Sequence, residues 1–213
     1  MRLYNRLATI HMPETNIVDI ILYIGIFVFA MTGSLKAREQ DMDILGGIVL
    51  AFVTAYGGGT LRDVLLGVTP VNWVNNNLSI ALVLLATMIV FVAKGNLQRV
   101  RRSIFLTDAI GLGMFTVGGI ERSMSFGANK PFALLLGVMS ATFGGLLADI
   151  ISNREPALLK NGEMYATVCA IGGLVYVILN ELVNDNLSMI IAVIITVTVR
   201  IWSKWRNWSV PKI

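Results

Sequence analysis

Seven apolar runs, each close to the length of a bilayer span, leave this chain little choice of fold. They fall at 17–35, 44–66, 78–93, 104–120, 131–151, 164–182 and 187–202. Charges or turn residues bound them: Asp41, Pro70, Asn75 to Asn77, Arg99 to Arg102, Lys130, Pro156 and Asp185. A helix needs about 20 apolar residues to cross the hydrocarbon core, and seven such spans leave only short loops. Composition agrees, with 14% charged residues against about 25% in an ordinary soluble domain. A soluble enzyme and a disordered chain are both excluded. The sequence predicts an all-α membrane protein of seven transmembrane helices, with no separate soluble domain. The first run has a long polar lead and no small-residue cleavage site, so it reads as a span rather than a signal peptide.

Seven spans place the termini on opposite sides. One side carries Arg2, Arg6, Arg122 and Lys130. The other carries Lys36, Arg38, Lys94, Arg99, Arg101, Arg102, Arg154, Lys160, Arg200, Lys204, Arg206 and Lys212. The positive-inside rule then predicts an outer N-terminus and a cytoplasmic C-terminus. The net charge of +4 reports those loops and implies no nucleic-acid partner. The basic stretch from Lys94 to Arg102 reads as a loop touching anionic membrane lipids. Trp202, Trp205 and Trp208 read as an interfacial anchor. Cys169 has no second cysteine to pair with and reads as a buried packing residue. One histidine, His11, lies in the polar arm, so no zinc, haem or other metal site is expected.

The chain also matches itself at an offset of 86 residues without gaps. Ile24 meets Ile110, Gly25 meets Gly111, Phe29 meets Phe115, and Gly33 meets Gly119. Leu50 meets Leu136, Gly58 and Gly59 meet Gly144 and Gly145, Asp63 meets Asp149, and Pro70 meets Pro156. Each copy holds three spans, an odd number, so the second copy enters the membrane from the opposite side. This is the arithmetic of an inverted repeat. The predicted organisation is an arm over 1–16, a first three-helix repeat over 17–94, and an inverted second repeat over 103–180. A seventh helix over 187–204 and a tail over 205–213 follow.

Two glycine-rich words dominate the spans. Tyr56-Gly57-Gly58-Gly59-Thr60-Leu61-Arg62-Asp63 lies in span two, and Thr142-Phe143-Gly144-Gly145-Leu146-Leu147-Ala148-Asp149 in span five. Glycine costs about 1 kcal/mol in a helix interior, and freed backbone groups at mid-membrane are tolerated only inside protein or a wet cavity. The expectation is a break in each helix, exposing carbonyls to a cation, with hydroxyls of Thr54, Thr60, Ser140 and Thr142 nearby. Close helix packing is the competing explanation, because small residues let backbones approach. Arg62 and Asp63 belong in the outer half and Asp149 in the inner half, since Asp63 lies roughly 8 Å past the glycines. Asp19 is then the expected partner of Arg62, and Asp108 the expected neighbour of Asp149. Lys36 and Arg122 are equivalent positions and further charge partners. Glu121 and Arg122, at a helix end, read as solvated.

The segment Gly57 to Pro70, reading Gly-Gly-Gly-Thr-Leu-Arg-Asp-Val-Leu-Leu-Gly-Val-Thr-Pro, resembles the signature of small bacterial membrane proteins often labelled glycine transporters. That family is similar to the trimeric intracellular cation (TRIC) channels. The resemblance spans about residues 17–204. Members commonly keep an Arg-Asp pair in the second copy as well; here Ala148 stands in for the arginine. The resemblance implies a homotrimer in the prokaryotic inner membrane, with a pore in each protomer lined by helices two and five. It implies potassium as the main ion, with sodium also passing. The rival expectation is a secondary transporter of glycine or another small zwitterion, held between opened helix ends. With no Ser/His or Cys/His constellation and no phosphate loop, no enzyme or cofactor is expected.

Overall fold

Five of the helices start where a short polar side chain takes a free backbone N–H. Asp43 accepts from Gly46 N at 2.8 Å, Asn76 from Ser79 N at 3.0 Å, and Asn96 from Arg99 N at 3.0 Å. Asn129 accepts from Phe132 N at 3.2 Å and Asn184 from Leu187 N at 2.8 Å. The computed structural model describes residues 17–93, 96–160 and 163–208. The N-terminal arm with Arg2, Arg6 and His11, and also Lys94 and Lys212, lie outside the described residues.

Among these residues the helices are α1 (Ile17–Glu39), α2 (Ile44–Leu65), α3 (Asn77–Val92), α4 (Leu97–Ser125), α5 (Lys130–Ile151), α6 (Ala166–Leu179) and α7 (Asp185–Trp205). Five of them, α1, α2, α4, α5 and α7, are long and apolar enough to cross a membrane. With 16 and 14 residues, α3 and α6 reach only about 24 and 21 Å at 1.5 Å per residue, short of the roughly 30 Å core. A non-helical segment precedes each of the two, residues 66–76 before α3 and, among the described residues, 152–160 and 163–165 before α6.

The basic stretch expected as a loop is instead the opening of α4. Asn96 caps it, and Arg101 donates to Glu39 at 2.6 Å rather than standing free. Five of the six residues 97–102 are Leu, Gln or Arg, good helix formers, and Val100 alone among them is a weaker one.

Helix ends repeat at the 86-residue offset. Asp41 after α1 has φ 52°, and Gly127 after α4 has φ 88°. Gly67 after α2 has φ 70°, and Asn153 after α5 has φ 52°. Each is the left-handed residue that lets the chain turn back on the last carbonyls. Val68 N donates to Asp63 O, and Arg154 N to Asp149 O, both at 2.8 Å. The first two helices of each trio therefore end in the same way at matched positions.

They also pack reciprocally. α1 lies against α4 and α2 against α5, while α3 and α6 flank their own trios; α7 packs on α4 and α6. The rings of Phe29 and Phe115, equivalent residues, stack at 4.9 Å between centroids and 14° between planes. Gly25 leaves space for Phe115, and Gly111 leaves space for Phe29. Residue i of one trio meets residue j of the other and the reverse, as a two-fold relation requires.

The same logic corrects the reading of the glycine words. Both α2 and α5 run uninterrupted through Gly57 to Gly59 and through Gly144 and Gly145. A Cβ at Gly58 would stand 2.1 Å from the Ser140 carbonyl oxygen, and one at Gly144 would stand 2.2 Å from the Thr54 carbonyl oxygen. The glycines are there so that two intact helices can cross backbone to backbone, which is the packing explanation. A continuous helix keeps its own hydrogen bonds, so no carbonyl is freed. Thr54 and Thr142 donate to their own helix, to Leu50 O at 2.6 Å and Val138 O at 2.8 Å.

Candidate functional site

Charged side chains gather at both ends of the α2–α5 crossing. The end where α1, α3, α5 and α7 finish is called the lower end below, and the opposite end the upper.

At the lower end, α1 carries Lys36 inward. Its Nζ lies 2.6 Å from Asp149 Oδ1 on α5, and the two residues are 4% and 3% exposed. Lys36 also donates to Gly145 O at 3.4 Å. The second Asp149 oxygen accepts from Ala157 N at 3.1 Å, and Arg154 Nε stands 3.7 Å from the first. Glu39, one turn below Lys36, receives Arg101 and Arg154 together. Removing one member of such a buried pair leaves the other charge uncompensated, at a cost of about 3–5 kcal/mol.

Asp108 of α4 shares this space with Asp149, as its position predicted, and both line one cavity of about 460 Å³. Asp108 Oδ1 accepts from the Tyr165 hydroxyl at 2.9 Å. Gly145 makes that bond possible, because a Cβ there would reach within 2.7 Å of the Tyr165 oxygen. The far wall comes from α7. Arg200 is buried between the rings of Phe105 and Tyr165, 5.3 and 5.0 Å from their centroids. It donates to Glu163 Oε2 at 2.9 Å and to Met164 O at 3.2 Å. Lys204 donates to Glu163 Oε1 at 3.0 Å. Burial pushes the Glu163 carboxyl up, but the hydrogen bonds and charges of Arg200 and Lys204 outweigh that and hold it below its ordinary value.

At the upper end, Arg62 does not reach Asp19. It folds onto its own neighbour, donating to Asp63 Oδ1 from Nη2 at 2.7 Å and Nε at 3.0 Å. Asp19 is in the first turn of α1, half-buried, whereas Arg62 is held toward α5 by a donation to Ser140 Oγ at 3.4 Å. The other Asp63 oxygen accepts from Asn72 N at 3.1 Å, and Asn72 in turn accepts from Arg122 at 3.0 Å. Arg122 is therefore not solvated: it is half-buried, with its guanidinium over the Phe126 ring at 5.2 Å. Glu121 likewise accepts from the buried Tyr176 hydroxyl. Thr60 accepts from Trp73 Nε1 at 3.0 Å.

The structure thus groups Lys36, Gly145, Asp108 and Asp149 below, and Thr60, Arg62, Asp63, Ser140 and Arg122 above. Thr54, Gly57, Gly58 and Gly144 form the crossing between them. Sequence reasoning missed Glu39, Tyr165, Glu163 and Arg200. Arg200 alone carried a signal, being a charge embedded in the apolar stretch of α7. Cys169 is buried and free, and Trp202, Trp205 and Trp208 are exposed at the lower end.

These features define a polytopic α-helical membrane protein of two matched three-helix units and a further helix, with a charged cavity at one end. The chain belongs to the glycine transporter family, whose model matches it twice, over residues 19–94 and 105–181. It is 34% identical to the Escherichia coli inner membrane protein YadS over 72% of this chain and 74% of that one. Among solved structures it resembles a TRIC cation channel at 36% identity and TM-score 0.80, covering 92% of this chain and 96% of that one. It also resembles the TRIC orthologue of Rhodobacter sphaeroides at 31% identity and TM-score 0.82, covering 91% and 100%. The chain is accordingly a member of the TRIC channel family as well.

Proposed function

We propose that the chain is a monovalent cation channel of the inner membrane, conducting potassium and sodium through a pathway inside each protomer of a homotrimer. The lower end faces the cytoplasm, and the two trios are threaded in opposite directions. The observation that carries the reading is the charged cavity of about 460 Å³ that leads to Asp108 and Asp149 at the foot of the α2–α5 crossing. It occurs in a chain 36% identical to a TRIC cation channel. The cavity is lined by bases as well as acids, with Lys36 paired to Asp149 and Arg200 to Glu163. This mixed lining offers a passing cation the Asp108 and Asp149 carboxylates without holding it too tightly to leave. The excess of bases at the lower end supports the cytoplasmic assignment.

Transport of glycine is the second reading, favoured by the description of the family model. The continuity of α2 and α5 removes the opened helix ends expected to hold a zwitterion, just as it removes the freed carbonyls expected to hold a cation, so both readings rest on the lower cavity. Purified protein in planar bilayers is expected to give single-channel currents whose reversal potential follows the potassium gradient. Saturable glycine uptake into proteoliposomes without such currents would decide for the transporter.

A further inference from the structure

The two ends of the crossing are not equally open. The lower cavity measures about 460 Å³, whereas the upper space bounded by Tyr56, Arg62 and Asp63 measures about 30 Å³. The 86-residue register also shows a difference in lining. Asp108, on the lower wall, has Leu22 as its counterpart, and Tyr165 has Ser79. An acid and its phenol are replaced by an aliphatic side chain and a small hydroxyl.

Leu22 and Ile26 of α1 close over Tyr56 of α2 and Phe115 of α4 in one apolar cluster. Leu22 is 8% exposed and leans on α4 where Gly118 makes room: a Cβ at that glycine would come within 2.6 Å of Leu22 Cδ2. Phe52 and Trp73 pack against Tyr56 from the side, at 4.8 and 5.7 Å between ring centroids. One atom in this packing is out of keeping. The Tyr56 hydroxyl belongs to a residue 5% exposed; the Ser79 hydroxyl beside it donates to the Asn76 carbonyl instead, and no group meets the Tyr56 oxygen in hydrogen-bond geometry. It borders the small space that Thr60, Arg62 and Asp63 also line. A void of that size admits about one water molecule.

We propose that the gate of the pathway is in this upper half. Leu22, Ile26 and Phe115 are its apolar seal, and the Tyr56 hydroxyl is the oxygen that a cation meets as the seal parts. The proposal rests on the channel reading. An apolar neck too narrow for a hydrated ion empties of water and stops conduction. A single unpaired oxygen inside it replaces part of the lost hydration shell once α1 moves away.

The test uses the full chain in liposomes loaded with potassium chloride, with efflux measured for wild type, Leu22→Ala and Tyr56→Phe. Leu22→Ala is expected to raise resting efflux at least several-fold. Tyr56→Phe keeps the ring and removes only the oxygen. It is expected to lower efflux about five-fold with no fall in thermal stability, a separation that a merely structural role would not produce. If Leu22→Ala fails to fold, Tyr56→Phe still decides, because it alters no packed contact. Wild-type conduction with both variants unchanged would overturn the gate and leave the channel standing. A silent wild type beside silent variants would sink the channel reading and the gate with it.

Discussion

Gly58 and Gly59 are neighbours in the same helix, yet the structure gives them opposite tolerances. Alanine normally gains about 1 kcal/mol over glycine inside a helix. At Gly59 the new methyl would find only Arg62 Nη2, at 3.9 Å, so Gly59→Ala is expected to raise the melting temperature in detergent. At Gly58 the methyl would be driven into the Ser140 carbonyl oxygen, and at Gly144 into the Thr54 carbonyl oxygen. Those two substitutions force α2 off α5 and are expected to cost about 1–3 kcal/mol, read as a fall in the same melting temperature. The sequence could show that these glycines mattered and could not show how. Close approach and a helix break both call for glycine. Only the position of the facing backbone separates them. Arg62 was misjudged for a related reason. Its partner is the next residue, a pairing that depends on where α5 and Ser140 hold the guanidinium rather than on depth along the span.

Among the elements, α7 is the one with no counterpart in the repeat, and it is tied down by charge as well as by packing. Arg200 and Lys204 both bind Glu163, which lies in the segment leading to α6. Because the folded carboxyl titrates below its ordinary value of 4.5, the sign of the pH effect is fixed. The contribution is fully present above 4.5, the unfolded value, and is lost as pH falls through the lowered folded value. Thermal unfolding followed from pH 7 down to pH 3 is expected to show Glu163→Gln already less stable than wild type at neutral pH. The gap should close at the acid end. Helix positions were the most legible part of this chain, since apolar runs and Asn or Asp caps are local signals. The α7 latch was not legible, because its members are 37 and 41 residues apart and no periodicity joins them.

For the whole molecule, the threading of the chain is the property that fixes which end of the crossing meets the cytoplasm. A cysteine replacing exposed Trp205, in a Cys169→Ala background, is expected to react with an impermeant thiol reagent only from the cytoplasmic face. Labelling of intact cells from outside would reverse the orientation. The repeat itself was readable because matching glycines, an aspartate and a proline rarely share one offset by chance. The difference between the two ends was not, since cavity size depends on how side chains from several helices meet, and Leu22 and Ser79 look unremarkable along the chain. The stacked pair of Phe29 and Phe115 carries a consequence for heredity. Each ring packs on the other and against the glycine opposite, so a change of size at either is expected to be compensated at its partner 86 positions away or at Gly25 or Gly111. Those four positions are expected to change together rather than singly.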